Sequence, residues 1–192
     1  MAEVLLFHHI LGRTPGVVAL ADDLRAAGHT VHVPDLYGGR TFTTIEEGAA
    51  FSKDLDLATP ADAVAAELPA ELVYAGISSG VMHAQRLAQT RAGAVGAVLL
   101  EGCLPLSGAP WALGPWPEGV PVQIHGMDAD PIFADEGDLA AARDIVATVG
   151  PSAELFLYPG GGHLFSDRSL PGHDAAAAEL LTARVVEFID RL

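Results

Sequence analysis

Short, almost purely apolar runs alternate with longer amphipathic stretches along the whole of this 192-residue chain, and that alternation restricts the fold more than any other feature. The runs Val4–Phe7, Thr30–Val33, Leu72–Ala75, Ala94–Leu100, Val120–His125 and Leu155–Tyr158 read as six strands. Between them, Val17–Ala27, Val81–Ala92, Leu139–Val149 and Ala175–Leu192 read as helices. The first sets Val18, Leu20 and Leu24 against Asp22, Asp23 and Arg25; Gly28 then suits its carboxyl end. The last places Leu180, Leu181, Val185, Phe188 and Ile189 on its apolar side. Residues 38–69 read as a polar Gly/Thr loop followed by a helix, with Asp62–Leu68 helical in pattern. Strands that are apolar throughout, rather than alternately, must be covered on both faces. The expectation is therefore one α/β domain over residues 1–192, with a mostly parallel central sheet and helices on both faces.

Composition narrows the partners. Half of the residues are hydrophobic, enough for a sizeable core, so disorder and fibrous classes fail. Lys and Arg total 10 against 25 Asp and Glu, a formal charge of -15, and Lys53 is the sole lysine. Such a surface repels phosphate backbones and anionic headgroups, which predicts neither a nucleic-acid partner nor a membrane partner. Cys103 is the single cysteine, so the chain can form neither an internal disulfide nor a thiolate metal cluster. There is no secretory leader pattern at the start and no apolar run near the ~18 residues of a membrane span. The sequence predicts a soluble, cytoplasmic, acidic protein.

The strongest chemical signal is Gly76-Ile77-Ser78-Ser79-Gly80, directly after the third strand and before a helix. In that position G-x-S-x-G is a nucleophile elbow: small neighbours permit a sharp turn that lifts the Ser78 hydroxyl above the sheet. The Ser79 N–H then lies at a helix N-terminus, where it can donate to a developing oxyanion. The bland reading is a tight strand-to-helix turn. A serine needs a base and a group to orient that base, and both should follow later strands in the order acid, then histidine. Asp128 and Asp130 follow the fifth strand in His125-Gly126-Met127-Asp128-Ala129-Asp130-Pro131. His163 follows the sixth in Tyr158-Pro159-Gly160-Gly161-Gly162-His163.

Pro34-Asp35-Leu36-Tyr37, the elbow, Asp130-Pro131 and Tyr158-Pro159…Gly162-His163-Leu164-Phe165 together resemble the dienelactone hydrolase family of small α/β-hydrolases. The resemblance runs over nearly the whole chain and implies an α/β-hydrolase fold without a separate lid domain. It implies Ser78 as nucleophile, His163 as base and Asp130 as orienting acid, with the N–H of Ile10 as second oxyanion donor. The spacing after Gly126 is one residue longer than the family's usual Gly-x-x-Asp, which leaves Asp128 as the alternative acid. Members named for dienelactone hydrolysis usually carry cysteine in the elbow and a Gln-Glu pair after the first strand. Here Ser78 and His8-His9 stand in those places, which points to an ordinary serine esterase.

Adjacent strand residues face opposite ways, so only one of His8 and His9 can face the site. His9 is read either as a substrate contact or as a strand-end residue capping backbone groups. His8, His9, His125 and His163 lack metal-ligand spacing, so no metal is expected, and acyl-enzyme chemistry at a serine calls for no organic cofactor. Trp111 and Trp116, with Leu104, Leu106 and Leu113, are read as an apolar wall over the site or as packing. Cys103 is read as a small buried apolar residue. Arg13 and Arg40 lie in loops that could reach the site or remain on the surface. The predicted function is hydrolysis of small carboxylic esters or lactones through an acyl-enzyme. The alternative is a non-catalytic binding or regulatory protein that keeps the fold and pocket.

Overall fold

The computed structural model describes residues 1–192. Six strands form one sheet: β1 (Glu3–Phe7), β2 (Thr30–His32), β3 (Leu72–Ile77), β4 (Ala94–Leu100), β5 (Val122–Met127) and β6 (Ala153–Tyr158). Their order is β2-β1-β3-β4-β5-β6 and every neighbouring pair is parallel. Six helices connect them: α1 (Pro15–Ala26), α2 (Ile45–Ser52), α3 (Ala58–Glu67), α4 (Val81–Thr90), α5 (Asp138–Val149) and α6 (Ala175–Asp190). No helix is long and apolar enough to cross a membrane.

Alternation along each strand divides the interior into two cores. Val4 and Leu6 of β1 join α1 and α6 through Leu20, Leu24, Leu181, Val185 and Phe188. Leu5 and Phe7 face the other way and join α3, α4 and α5 through Ala65, Leu87, Ala142 and Ile145. Both faces of the sheet are thus covered, as continuous apolar runs require.

The elements match the sequence pattern with shifts at their ends. β3 runs two residues past Ala75 because Gly76 and Ile77 still pair with Phe7 and Leu100 on its two flanks. β5 starts at Val122 rather than Val120 and continues to Met127, paired with Tyr158. The 38–69 stretch holds two helices, not one. The first begins with a capping box, in which Thr44 and Glu47 satisfy each other's backbone N–H groups. The expected apolar side of the last helix needs one correction: Leu180 is exposed, while Leu181, Val185, Phe188 and Ile189 are buried. Leu180 falls off the stripe because 3.6-residue periodicity puts 181, 185 and 188 on one face.

The strand order reverses between β1 and β3, since β2 lies to one side of β1 and the rest of the chain builds outward from β3. In open α/β sheets ligands bind beyond the carboxyl ends of the strands at such a switch point. Ile10 follows β1 and Ser78 follows β3, so the two stand on either side of it.

Candidate active site

The elbow is built by close backbone approach. A Cβ on Gly76 would lie 2.5 Å from the Gly80 carbonyl carbon, and one on Gly80 would lie 2.4 Å from the Phe7 carbonyl oxygen. Only glycine fits at either place, and the strand can then turn straight into the helix. Ser78 sits at the apex with φ +49°, a strained backbone for a residue with a side chain.

Ser78 Oγ donates to His163 Nε2 at 2.8 Å, and His163 Nδ1 donates to Asp130 Oδ2 at 2.7 Å. Asp130 is fully buried, and its other oxygen accepts from the Ile132 N–H at 2.9 Å. The carboxylate therefore holds the imidazole with its proton on Nδ1, leaving Nε2 free to accept from the serine. Asp128 is exposed and accepts from the Gly160 N–H at 3.1 Å; it ties the two loops together and does not meet the histidine.

Ser78 and His163 open onto a cavity of about 410 Å³ whose walls include Ile10, Ser79, Val81, Leu104 and Ile132. A second lobe of about 400 Å³ shares Ile10, Ser79 and Met82 and is walled by His8, Tyr37 and His83. The Ile10 N–H donates to no protein acceptor. A larger groove of about 560 Å³ between α1 and α6 lies elsewhere and contains neither Ser78 nor His163.

Two of the expected contacts do not reach the cavity. His9 is fully buried and points away from it, with Nε2 on Asp167 Oδ2 at 2.8 Å and Nδ1 accepting from the Leu11 N–H at 3.2 Å. Of its two readings, backbone capping is what the structure realises, and Asp167 is an added partner. Trp111 is 64% exposed and lines neither lobe. Trp116 is buried against the α4/α5 core, its Nε1 donating to the Val120 carbonyl at 2.7 Å. The tryptophan wall is therefore absent, and of that group Leu104 alone lines the cavity. The loop turns away because two hydrogen bonds, Leu113 and Gly114 N–H to the Pro105 and Leu106 carbonyls, close it on itself.

The other histidines have their own partners. His8 donates from Nδ1 to the His9 carbonyl and accepts at Nε2 from the Leu36 N–H; burial lowers its pKa. His125 lies inside the sheet between Tyr158 and Gln123, and burial pushes its pKa down to about 3. Arg13 lies against Asp35 and the Val33 carbonyl, and Arg40 over the Phe51 ring. Cys103 is buried with its thiol pKa raised by desolvation.

Sequence reasoning missed Glu101, Asp138 and Asp167. Glu101 directly follows β4 with φ +57°, buried in the cavity wall, and burial raises its pKa. A lone carboxylate closing an apolar strand was the available signal. Asp167 gave none, because its partner His9 is 158 positions away in sequence.

A model of the dienelactone hydrolase family matches residues 117–192. No curated protein matches the chain. Among solved structures, one from Klebsiella pneumoniae subsp. pneumoniae, described as a dienelactone hydrolase, superposes with TM-score 0.76 at 17% identity, covering 100% of this chain and 88% of that one. A dienelactone hydrolase-like promiscuous phosphotriesterase from metagenomic libraries gives TM-score 0.75 at 20% identity, covering 100% and 87%. A thermophilic esterase from Thermogutta terrifontis, with propionate bound, gives 0.67 at 18%, covering 99% and 83%. These likenesses show a shared α/β-hydrolase fold.

Proposed function

We propose that this chain, an α/β-hydrolase of the dienelactone hydrolase family matched over residues 117–192, is a serine hydrolase of small carboxylic esters or lactones. The observation that carries the reading is the Ser78–His163–Asp130 relay, with hydrogen bonds of 2.8 and 2.7 Å at the mouth of a cavity. Ser78 Oγ attacks the ester carbonyl while its proton passes to His163 Nε2. Asp130 stabilises the imidazolium so formed. The N–H groups of Ile10 and Ser79 receive the oxyanion, whose charge develops in the transition state. Collapse breaks the C–O bond, and His163 gives its proton to the leaving alcohol. Water, activated by the same imidazole, then hydrolyses the acyl-enzyme.

This chemistry calls for neither a metal nor an organic cofactor. Two lobes that meet at Ser79 and Ile10 suit a substrate with one short arm on each side of the scissile bond. We place the protein in the cytoplasm as one domain, a setting suited to its single free thiol. The test is labelling with a fluorophosphonate and turnover of small p-nitrophenyl esters. Modification is expected at Ser78, and Ser78→Ala should lower kcat/KM by about 10³-fold or more with the fold retained. No labelling, and ester turnover no faster than that of Ser78→Ala, would instead favour a non-catalytic binding protein.

A further inference from the structure

Three acids, Glu101, Glu136 and Asp138, line the lobe at Ser78, with no arginine or lysine among its walls; the one lysine at the site, Lys53, lines the second lobe. Glu101, 1% exposed, accepts from the Ser166 N–H through Oε1 at 3.1 Å; its buried Oε2 has no partner in hydrogen-bond geometry, and the buried Ser166 hydroxyl nearby only partly offsets the cost of burying the carboxyl. Asp138, half-buried, accepts from the Cys103 N–H at 3.0 Å, and Glu136 stands near it on the cavity's rim. The remaining lining is largely apolar, Leu104 and Ile132 included. Buried carboxylates normally have a cation or a full set of donors, because desolvating an unpaired charge is costly. Here burial raises the Glu101 pKa and pushes that of Asp138 up to about 6. Arg13 and Arg40 lie outside the cavity and supply neither carboxyl with a partner.

We propose that the cleft selects esters carrying an ammonium group close to the scissile carbonyl, held by Glu101 and Asp138 with its carbon substituents against Leu104 and Ile132. The inference rests on the ester-hydrolase reading of Ser78 and adds the substrate class. The ammonium takes no part in the bonds made and broken. Its attraction differs from the pull of the whole molecule's negative charge, because contact pairs in a partly buried cleft survive salt that screens longer distances.

The experiment compares cationic esters with neutral isosteres. One pair places the charge in the alcohol, acetylcholine against 3,3-dimethylbutyl acetate; the other places it in the acyl part, glycine ethyl ester against ethyl propanoate. In at least one pair, kcat/KM for the cation should exceed its isostere by ~10-fold, a difference of about 1.4 kcal/mol, and most of it should remain in 0.5 M NaCl. Asp138→Asn and Glu101→Gln keep an acceptor for the Cys103 and Ser166 N–H groups, and each should bring the ratio towards one. Glu136→Gln, on the exposed rim, should reduce it less and serves if the buried variants do not fold. If turnover is too slow to measure, protection of Ser78 from fluorophosphonate by choline against 3,3-dimethylbutanol reads the same preference.

Ratios of one or less in both pairs, with Ser78 labelled and neutral esters hydrolysed, overturn the proposal and leave the hydrolase reading standing. A preference that persists in the folded variants, or vanishes in salt, also overturns it. Failure of Ser78 to label and of every ester to turn over removes both.

Discussion

Asp128 and Asp130 stand two positions apart after β5, yet their surroundings give them different work. Asp130 is buried, with one oxygen on His163 and the other on the Ile132 N–H, so neither oxygen is spare and the imidazole has one tautomer. Asp128 is exposed and merely joins the Gly160 N–H. Asp130→Asn should therefore lower kcat by roughly 10³–10⁴-fold, since an amide can present a donor to Nδ1 and favour the wrong tautomer. Asp128→Asn should stay within a few-fold of wild type. Steady-state kinetics of both variants on one neutral ester decides it, and a reversed ranking would move the triad to the tighter loop. The family's usual spacing could not make this choice, because the extra residue after Gly126 is absorbed by the turn.

A second buried pair holds the loop after β1 to the loop that carries His163. His9 Nε2 donates to Asp167 Oδ2, as does Thr14 Oγ1, while the Ser169 N–H and Oγ donate to Oδ1 at 2.8 and 2.6 Å. Thr14 is also the N-cap of α1, so one carboxylate ties β1, α1 and the His163 loop together. Burial alone would raise the Asp167 pKa, but the hydrogen bonds from His9, Ser169 and Thr14 outweigh it and hold the carboxyl well below its usual range. A depressed folded-state pKa stabilises the fold above the unfolded value, about 3.9 for Asp, and that stability is lost as pH falls further. Asp167→Asn should cost about 2–3 kcal/mol at pH 7, because its NH₂ must face a donor. The variant should also lose part of the wild type's decline in stability below about pH 4. Urea unfolding of both proteins from pH 7 to pH 3 measures this. Equal stability at pH 7 would show that the carboxylate does not pin the loops.

With a formal charge of -15, the whole chain repels anions from a distance. The lobe at Ser78 adds Glu101, Glu136 and Asp138, and no arginine or lysine lines that lobe to receive a substrate carboxylate; Lys53 lines the second lobe, together with Asp56. An ester bearing a carboxylate should therefore show lower kcat/KM than its amide analogue of equal size. The gap should narrow as salt rises, because the long-range part is screened within about 10 Å at 0.1 M. A matched acid and amide, assayed at low and high ionic strength, test this. Preference for the acid, lost in Arg13→Gln or Arg40→Gln, would mean that a surface arginine turns inward to receive it.

The chain's periodicity determined the sheet, its parallel sense and its two-sided burial, because runs apolar at every position can be satisfied in few other ways. The order of Ser78, an acid and His163 along the chain was equally local, each lying just past a recognisable strand. The Thr44–Glu47 capping box was written in the sequence too, in a segment read only as loop and helix. What lay outside the sequence's reach was everything set by distance across the fold. His9 was turned from substrate towards Asp167, Trp111 was left in solvent, and Glu101 was brought to the cavity wall beside His163. Those outcomes depend on which loops meet above the sheet. Residues 158 positions apart carry no periodic or spacing signal of their contact, and only packing decides which carboxylate faces which imidazole.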